Sequence, residues 1–314
     1  MKAQILSSAT LLLAVCGNLR AVDPHLLNLV MPDAKVLADI NVAQAKTSPF
    51  GQYVLAQIQA QAADLDKMAA LTGFDPRQDL NELLAATNAT GSKHTGLALA
   101  SGTFNVTAIT AFATLQKAAT ETYNGVTIVE DPQQTHGIAF LSGTLAVAGD
   151  VADVKAAIDR QSSPSVLPAA IVVQVNQLSA ADDAWVLSTV PPSSLHPPSM
   201  APNIPGVGNG AQNAFGTIQS ASAGVKFGAN VTLTAQAQAD TAQNATAIAG
   251  VLQLLANMAQ LQAQQNAAAA ALAKSLTVTA TGTTVNISAS LPEDVFQQLL
   301  KPSAVPHSHL QQKK

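Results

Sequence analysis

Residues 168–180, PAAIVVQVNQLSA, echo residues 32–45, PDAKVLADINVAQA. In each, an apolar run rich in β-branched residues leads to an asparagine, Asn41 in the earlier copy and Asn176 in the later. Such residues fit the pleated, half-buried surface of a strand, so both stretches read as strands. A second echo follows each one, Tyr53-Val54-Leu55 and Trp185-Val186-Leu187. The separation is too long for a solenoid repeat and matches one domain-sized half. The expected fold is α+β with two related halves, each an antiparallel sheet covered by helices on one face. The expected boundaries are a leader over 1–21, halves over 22–165 and 166–301, and a disordered tail over 302–314.

Of the 314 residues, 48% are hydrophobic, ample for a sizeable core. Charged residues are only 11%, so solubility must rest on Gln, Asn, Thr, Ser and Ala. A net charge of −4 gives no electrostatic case for binding nucleic acid or an anionic membrane. Aromatic residues are 4%, which leaves few side chains for base- or sugar-stacking platforms.

Residues 1–21 read as a secretory leader. Lys2 supplies the positive start, and residues 5–15, ILSSATLLLAV, form an apolar core too short to span a bilayer. Cleavage after Ala21 makes Val22-Asp23-Pro24 the new start, while Val15 and Gly17 offer a second small-residue site. The only cysteine, Cys16, lies in residues 13–17, LAVCG, which resemble a bacterial lipoprotein signal but carry Val15 where Gly, Ala or Ser is expected. Soluble export is therefore preferred over lipidation. Without Cys16 the mature chain has no disulfide, and its core must hold it together unaided. No later run has the length and uniformity of a membrane helix.

Along the first half, residues 35–42 read as a strand. Ser48-Pro49 caps a helix over 50–71, and Gly73 ends it. Asp75-Pro76-Arg77-Gln78 restarts a helix, with Gln78 as reciprocal cap and Leu80, Leu83 and Leu84 as its buried side. A strand over 95–100, a helix capped by Asn105, an antiparallel meander over 125–148 and a helix capped by Asp150 follow. In the second half, a strand over 171–175 leads to a short helix containing Trp185. Residues 191–210 hold Pro191, Pro192, Pro197, Pro198, Pro202, Pro205, Gly206, Gly208 and Gly210, which prevent regular packing. Next come a hairpin over 223–239, one long helix from Thr241 to about Lys274, and a hairpin over 276–288. A last helix is opened by the capping box Ser290-Leu291-Pro292-Glu293.

No constellation singles out a reaction. His307-Ser308-His309 lacks the three or four ligands a zinc site needs. His25, His94, His136 and His196 read as surface histidines near loops or element ends. The sequence has no Gly-x-Ser-x-Gly elbow. Of the pairs Glu130-Asp131 and Asp182-Asp183, Asp131 reads as a turn residue and Asp183 as a first-turn helix acid. Residues 91–95, GSKHT, lack P-loop spacing, and residues 206–210, GVGNG, have the wrong rhythm for a dinucleotide fingerprint. Phe50, Tyr53 and Trp185 read as core anchors. No catalytic, cofactor-binding or metal residue is assigned, and no cofactor is expected.

Residues 26–34 (LLNLVMPDA), Gly73-Phe74-Asp75-Pro76 with Asp79-Leu80, and residues 143–149 (GTLAVAG) together resemble a loose group of exported bacterial proteins. The group is of the acidobacterial and planctomycete type and has no assigned activity. The resemblance spans most of the mature chain and implies no catalytic residue. The function expected is that of an exported, non-catalytic protein, periplasmic or extracellular, that binds a ligand or protein or serves as a structural accessory. The alternatives are an exported hydrolase with its site between the halves and a membrane-anchored lipoprotein. Any ligand is expected in the cleft between the halves.

Overall fold

The computed structural model describes residues 22–59, 63–88, 96–164, 166–194, 214–261 and 267–300. Its frame is one twelve-stranded sheet in which every neighbouring pair is antiparallel. The first seven strands are β1 (Val36–Ile40), β2 (Leu80–Thr87), β3 (Gly96–Gly102), β4 (Ala119–Tyr123), β5 (Val126–Glu130), β6 (His136–Phe140) and β7 (Leu145–Asp150). The remaining five are β8 (Ala184–Ser188), β9 (Ile218–Lys226), β10 (Asn230–Ala239), β11 (Thr277–Thr281) and β12 (Thr284–Pro292). Across the sheet the order is β11-β12-β10-β9-β8-β1-β2-β3-β7-β6-β5-β4. The α+β class expected from the sequence is present, but as one continuous sheet.

Side chains alternate between the faces of a strand, so register decides what each face carries. Leu37 lies opposite Leu187 and Ala86, and Asp39 opposite Trp185 and Leu84. The row continues outward through Leu97, Leu99, Val147, Ala139 and Ile128, all buried. Three elements cover this inner face: residues 22–31, including α1 (Pro24–Leu27), then α7 (Val151–Arg160) and α8 (Ala169–Ala181). Beyond β8 the covered side switches. Ala237, Val278 and Val285 belong to the other face, where α9 (Ala242–Leu261) packs on them through Ala245, Ile248 and Ala249. The alternation of β10 dictates the switch: Val231, Leu233, Ala235 and Ala237 point to the helix, and Thr232, Thr234, Gln236 and Gln238 point away.

Several local expectations hold. Ser48 Oγ accepts from the Gly51 N–H at 3.0 Å and opens α3 (Pro49–Gln59). Asn105 Oδ1 accepts from the Ala108 N–H at 3.1 Å and caps α6 (Val106–Leu115). Gly73 leaves α4 (Ala63–Thr72) at a φ of 69°, which favours glycine.

Others are corrected. Residues 171–175 are helical, within α8, whereas residues 36–40 are a strand, so the opening echo does not mark equivalent positions. Ile171 and Val175, one helical turn apart, both bury against the sheet, and that packing overrides β-branched propensity. Trp185, expected on a helix, shares the buried inner face of β8 with Leu187. Leu80, Leu83 and Leu84 lie on β2, paired between β1 and β3. The helix before them, α5 (Pro76–Asp79), is a single turn whose reciprocal cap is Asp79, not Gln78. The single helix over 241–274 is two, α9 and α10 (Ala267–Ser275). Gln260 Nε2 donates to the Ala273 carbonyl at 3.1 Å, whereas thirteen residues of straight helix would put them about 20 Å apart. Ser290 is a strand residue paired with Thr232, so no capping box opens α11 (Glu293–Leu300). Strand β4 went unread. Residues 1–21, expected as a leader, most of the 191–210 stretch and residues 302–314, expected as a tail, lie outside the described residues.

If the inner face is the core, Leu99→Ala lowers unfolding free energy by about 2–5 kcal/mol. Ala98→Ser, one residue earlier on the other face, changes it by less than about 0.5 kcal/mol. Urea denaturation of the two variants checks both values.

A candidate binding surface and a buried carboxyl pair

On the outer face of the first seven strands, three rows of side chains run across the sheet. The row Ile40, Leu83, Ala100, Ala146 and Phe140 lies beside helices and loops. Phe50, Val54 and Leu55 of α3 line a cavity of about 330 Å³ together with Ile40 and Leu83, and Phe104 meets Phe140 with ring centres 5.3 Å apart. The next row is Val186, Ala38, Ala85, Ala98, Ala148, Ile138 and Val129. Its small side chains leave an open trough of about 770 Å³ from β1 to β5, lined also by Val36, Gly96 and Thr87. Five strand spacings make it about 24 Å long. Ile138 and Val186 stay 38% and 39% exposed, large apolar side chains left facing solvent.

One end of the trough carries polar groups. Asp131 Oδ1 accepts from the backbone N–H groups of His136 at 3.0 Å and Thr135 at 2.8 Å, and these donors, His136 first, hold its carboxyl below the usual aspartate range. Thr135 Oγ1 lies 2.9 Å from His136 Nδ1, and His136 Nε2 lies 3.1 Å from Asp150 Oδ1. A hydroxyl, an imidazole and a carboxylate in line have the connectivity of a hydrolytic triad. Here, however, the hydroxyl is also bound to Asp131 at 3.1 Å, and the ring is 67% exposed. These bonds tie together the turn between β5 and β6.

The pair Asp182-Asp183 is divided between two jobs. Asp183 is buried and accepts from Lys226 Nζ at 2.9 Å and the Phe227 N–H at 2.7 Å, locking β8 to the end of β9 instead of starting a helix. Asp182 ends α8 and lies over Gly224, where an added Cβ would stand 2.0 Å from its Oδ2. Burial pushes its pKa up, against a hydroxyl contact from Thr234 at 3.4 Å. A polar groove of about 390 Å³ runs beside it, between α8 and strands β9, β10 and β12.

At the centre of the inner face lies a cluster that no sequence motif announced. Asp39 is only 7% exposed, opposite Trp185, and next to Glu82. Burial first, and then the charge of Glu82, pushes its pKa up to about 8, so that it keeps its proton and donates it in a hydrogen bond to Glu82. Glu82 is itself raised by burial, and accepts the Asp23 N–H on both oxygens, at 3.2 and 3.3 Å. Asp39 Oδ1 and Trp185 Nε1 have no hydrogen-bond partner; the indole acts on Asp39 without the alignment of a bond. The signal was present in residues 36–40, VLADI, where Asp39 takes the inward parity of Leu37.

Trp185 is buried and a core anchor, whereas Phe50, which stacks on Phe227 and meets Phe296 edge-on, is half-buried, as is Tyr53. His25 and His136 are exposed. His94, His196, His307, His309, Cys16 and residues 206–210 lie outside the described residues. Among the described residues, no three His, Cys, Asp or Glu side chains are grouped to hold a metal, and no helix is long and apolar enough to cross a membrane. Among the described residues, the trough of about 770 Å³ lies on the first seven strands, whereas a ligand cleft was expected between the halves.

No protein-family model and no curated protein matches this sequence. Among solved structures, one crystal form of TP0453 of Treponema pallidum superposes with a TM-score of 0.53, at 10% identity, over 87% of this chain and 96% of that one. The fold resembles that of TP0453. Two further crystal forms of TP0453 give TM-scores of 0.49 and 0.47, each at 10% identity, over 88% and 87% of this chain and 96% and 95% of theirs. At such identity the likeness to TP0453 is one of fold.

The carboxyl pair makes a pH prediction for any chain that continues ahead of Val22. Asp39 titrates near 8 when folded and near the ordinary 3.8 when unfolded, so the folded state binds more protons between those values. Stability is then fully present below about pH 4, falls by up to about 1.4 kcal/mol per pH unit as pH rises, and levels off above about pH 8. Asp39→Asn is expected to flatten this fall. Urea denaturation at pH 5 and pH 8 measures it, and equal slopes in the two proteins would contradict the assignment.

Proposed function

We propose that the protein is exported and acts without catalysis, by holding an aliphatic chain in the trough on the outer face. One observation carries this reading. An antiparallel sheet ordinarily turns polar side chains toward water on its free face, as β10 does with Thr232, Thr234, Gln236 and Gln238. On strands β1 to β7 the uncovered row is instead Ala38, Ala85, Ala98, Ala148 and Ile138. An apolar surface left open in this way marks a contact site. Its floor of methyl groups and glycine backbone offers dispersion contacts but no aromatic platform, which suits a hydrocarbon better than a sugar or a base. The Asp131–His136 end would meet a polar head group.

Export is supported by the leader over 1–21 and by the resemblance to exported acidobacterial and planctomycete proteins. A duplication is supported too, in a register other than the opening echo. Outward from the centre, β1-β2-β3-β7-β6 and β8-β9-β10-β12-β11 follow the same chain order, with α6 and α9–α10 in the corresponding connections. In that register halves over 22–165 and 166–301 correspond, and Leu37 and Asp39 match Trp185 and Leu187.

A fluorescent fatty-acid probe titrated into the protein is expected to bind saturably. Ala98→Phe places a ring on the trough floor and should weaken binding at least about tenfold, while unfolding free energy stays within about 1 kcal/mol. Failure to bind, or binding indifferent to Ala98→Phe, would overturn the proposal.

A further inference from the structure

We infer that removal of the leader completes the core: hydrolysis between Ala21 and Val22 frees an α-ammonium at Val22 that pairs with the buried carboxyls of Glu82 and Asp39. The inference rests on the export reading above and assigns the processing site and the purpose of the new terminus.

Val22 is 2% exposed and belongs to the same apolar cluster as Leu26, Leu37 and Leu84. Its side chain is thus an anchor, and its nitrogen lies within the fold. The next backbone nitrogen, that of Asp23, donates to both oxygens of Glu82. One residue of chain spans at most about 3.6 Å, so the Val22 nitrogen is within about 7 Å of that carboxylate. The direction of the chain is fixed as well, because Asp23 accepts from the His25 N–H at 2.9 Å and Pro24 opens α1.

Among the described residues, the carboxyl pair has no counter-charge. The groups acting on it are the two acids themselves, Asp23 with its N–H, and the Trp185 indole; none is a cation. Asp39 Oδ1 has no partner although Asp39 is more than nine-tenths buried. Buried charges in proteins are paired, and an unfilled acceptor at such depth needs a donor. While the leader is attached, residue 22 offers only a neutral amide. In the hydrolysis, water adds across the Ala21–Val22 peptide bond under a signal peptidase. The C–N bond breaks, Ala21 leaves as a carboxylate, and Val22 keeps the amine, which takes up a proton. The product carries one positive charge and three N–H donors, a match for two carboxyls that otherwise share a proton. An opposite charge within about 4–6 Å favours the ionised form of both partners.

The test has two parts. Exported protein is analysed by N-terminal sequencing and mass, and is expected to start at Val22. Protein starting at Val22 is then prepared with a free and with an acetylated terminus. At pH 7 the free form should melt about 5 °C higher. NMR titration should put its α-ammonium at least about one pH unit above that of an exposed terminus, and Glu82→Gln should remove both differences. Equal melting of the free and acetylated proteins would overturn the ion pair even with export confirmed, and so would a melting gap that survives Glu82→Gln. A start after Gly17 or at Cys16 would overturn the processing site alone, and retention of the leader would overturn the export reading with it.

Discussion

The antiparallel pairing of β1 with β8 is the contact on which the molecule depends. Residues 36–40 meet residues 184–188 from Val36 opposite Ser188 to Ile40 opposite Ala184. The ladder extends at both ends, through the Asn41 N–H to the Asp183 carbonyl and the Thr189 N–H to the Lys35 carbonyl, each at 2.8 Å. This short seam joins seven strands to five. Without it each group would present a central strand as an open edge, a template for association with other chains. The seam also sets Asp39 against Trp185, so the least compatible buried side chain sits at the middle of the sheet. Its cost is limited by Glu82, which accepts the Asp39 proton.

From that seam the two faces follow. Register places Leu37, Leu84, Leu99 and Val147 on one side, where residues 22–31, α7 and α8 cover them. The opposite side of the same strands is lined by small apolar residues and stays open except where α3 and Phe104 close it. Beyond β8 the helices change sides, and the free face of β9, β10 and β12 turns to Thr, Ser, Gln and Asn. One chain thus contains both a solvated sheet face and an apolar one, and the contrast gives the trough its meaning. The same strands carry two different surfaces: Asp23 reaches the inner face beside Glu82, while the open apolar trough lies on the outer one.

Much of the local grammar was legible in the sequence because it depends on neighbours only. Ser48-Pro49, Asn105, Gly73 and the alternation of β10 each act within a few residues. What could not be read depended on distant partners. The run at 171–175 has strand propensity, yet Ile171 and Val175 sit one turn apart against a sheet made elsewhere. Leu80, Leu83 and Leu84 suit a helix by spacing, but β1 and β3 offer ladders on both sides. The trough was illegible because it is assembled from Ala38, Ala85, Ala98 and Ala148, alanines that only register brings into line. Asp39 was the exception, since its inward parity could be seen in residues 36–40 alone.

Native-state hydrogen exchange across the sheet tests most directly whether the seam holds the molecule together. The account predicts that the amides of β1 and β8 are the slowest to exchange and open only with global unfolding, in one step with those of β3 and β10. Exchange of β8 to β12 in a separate opening of lower free energy, with β1 to β7 still protected, would show two independently stable sheets and contradict it.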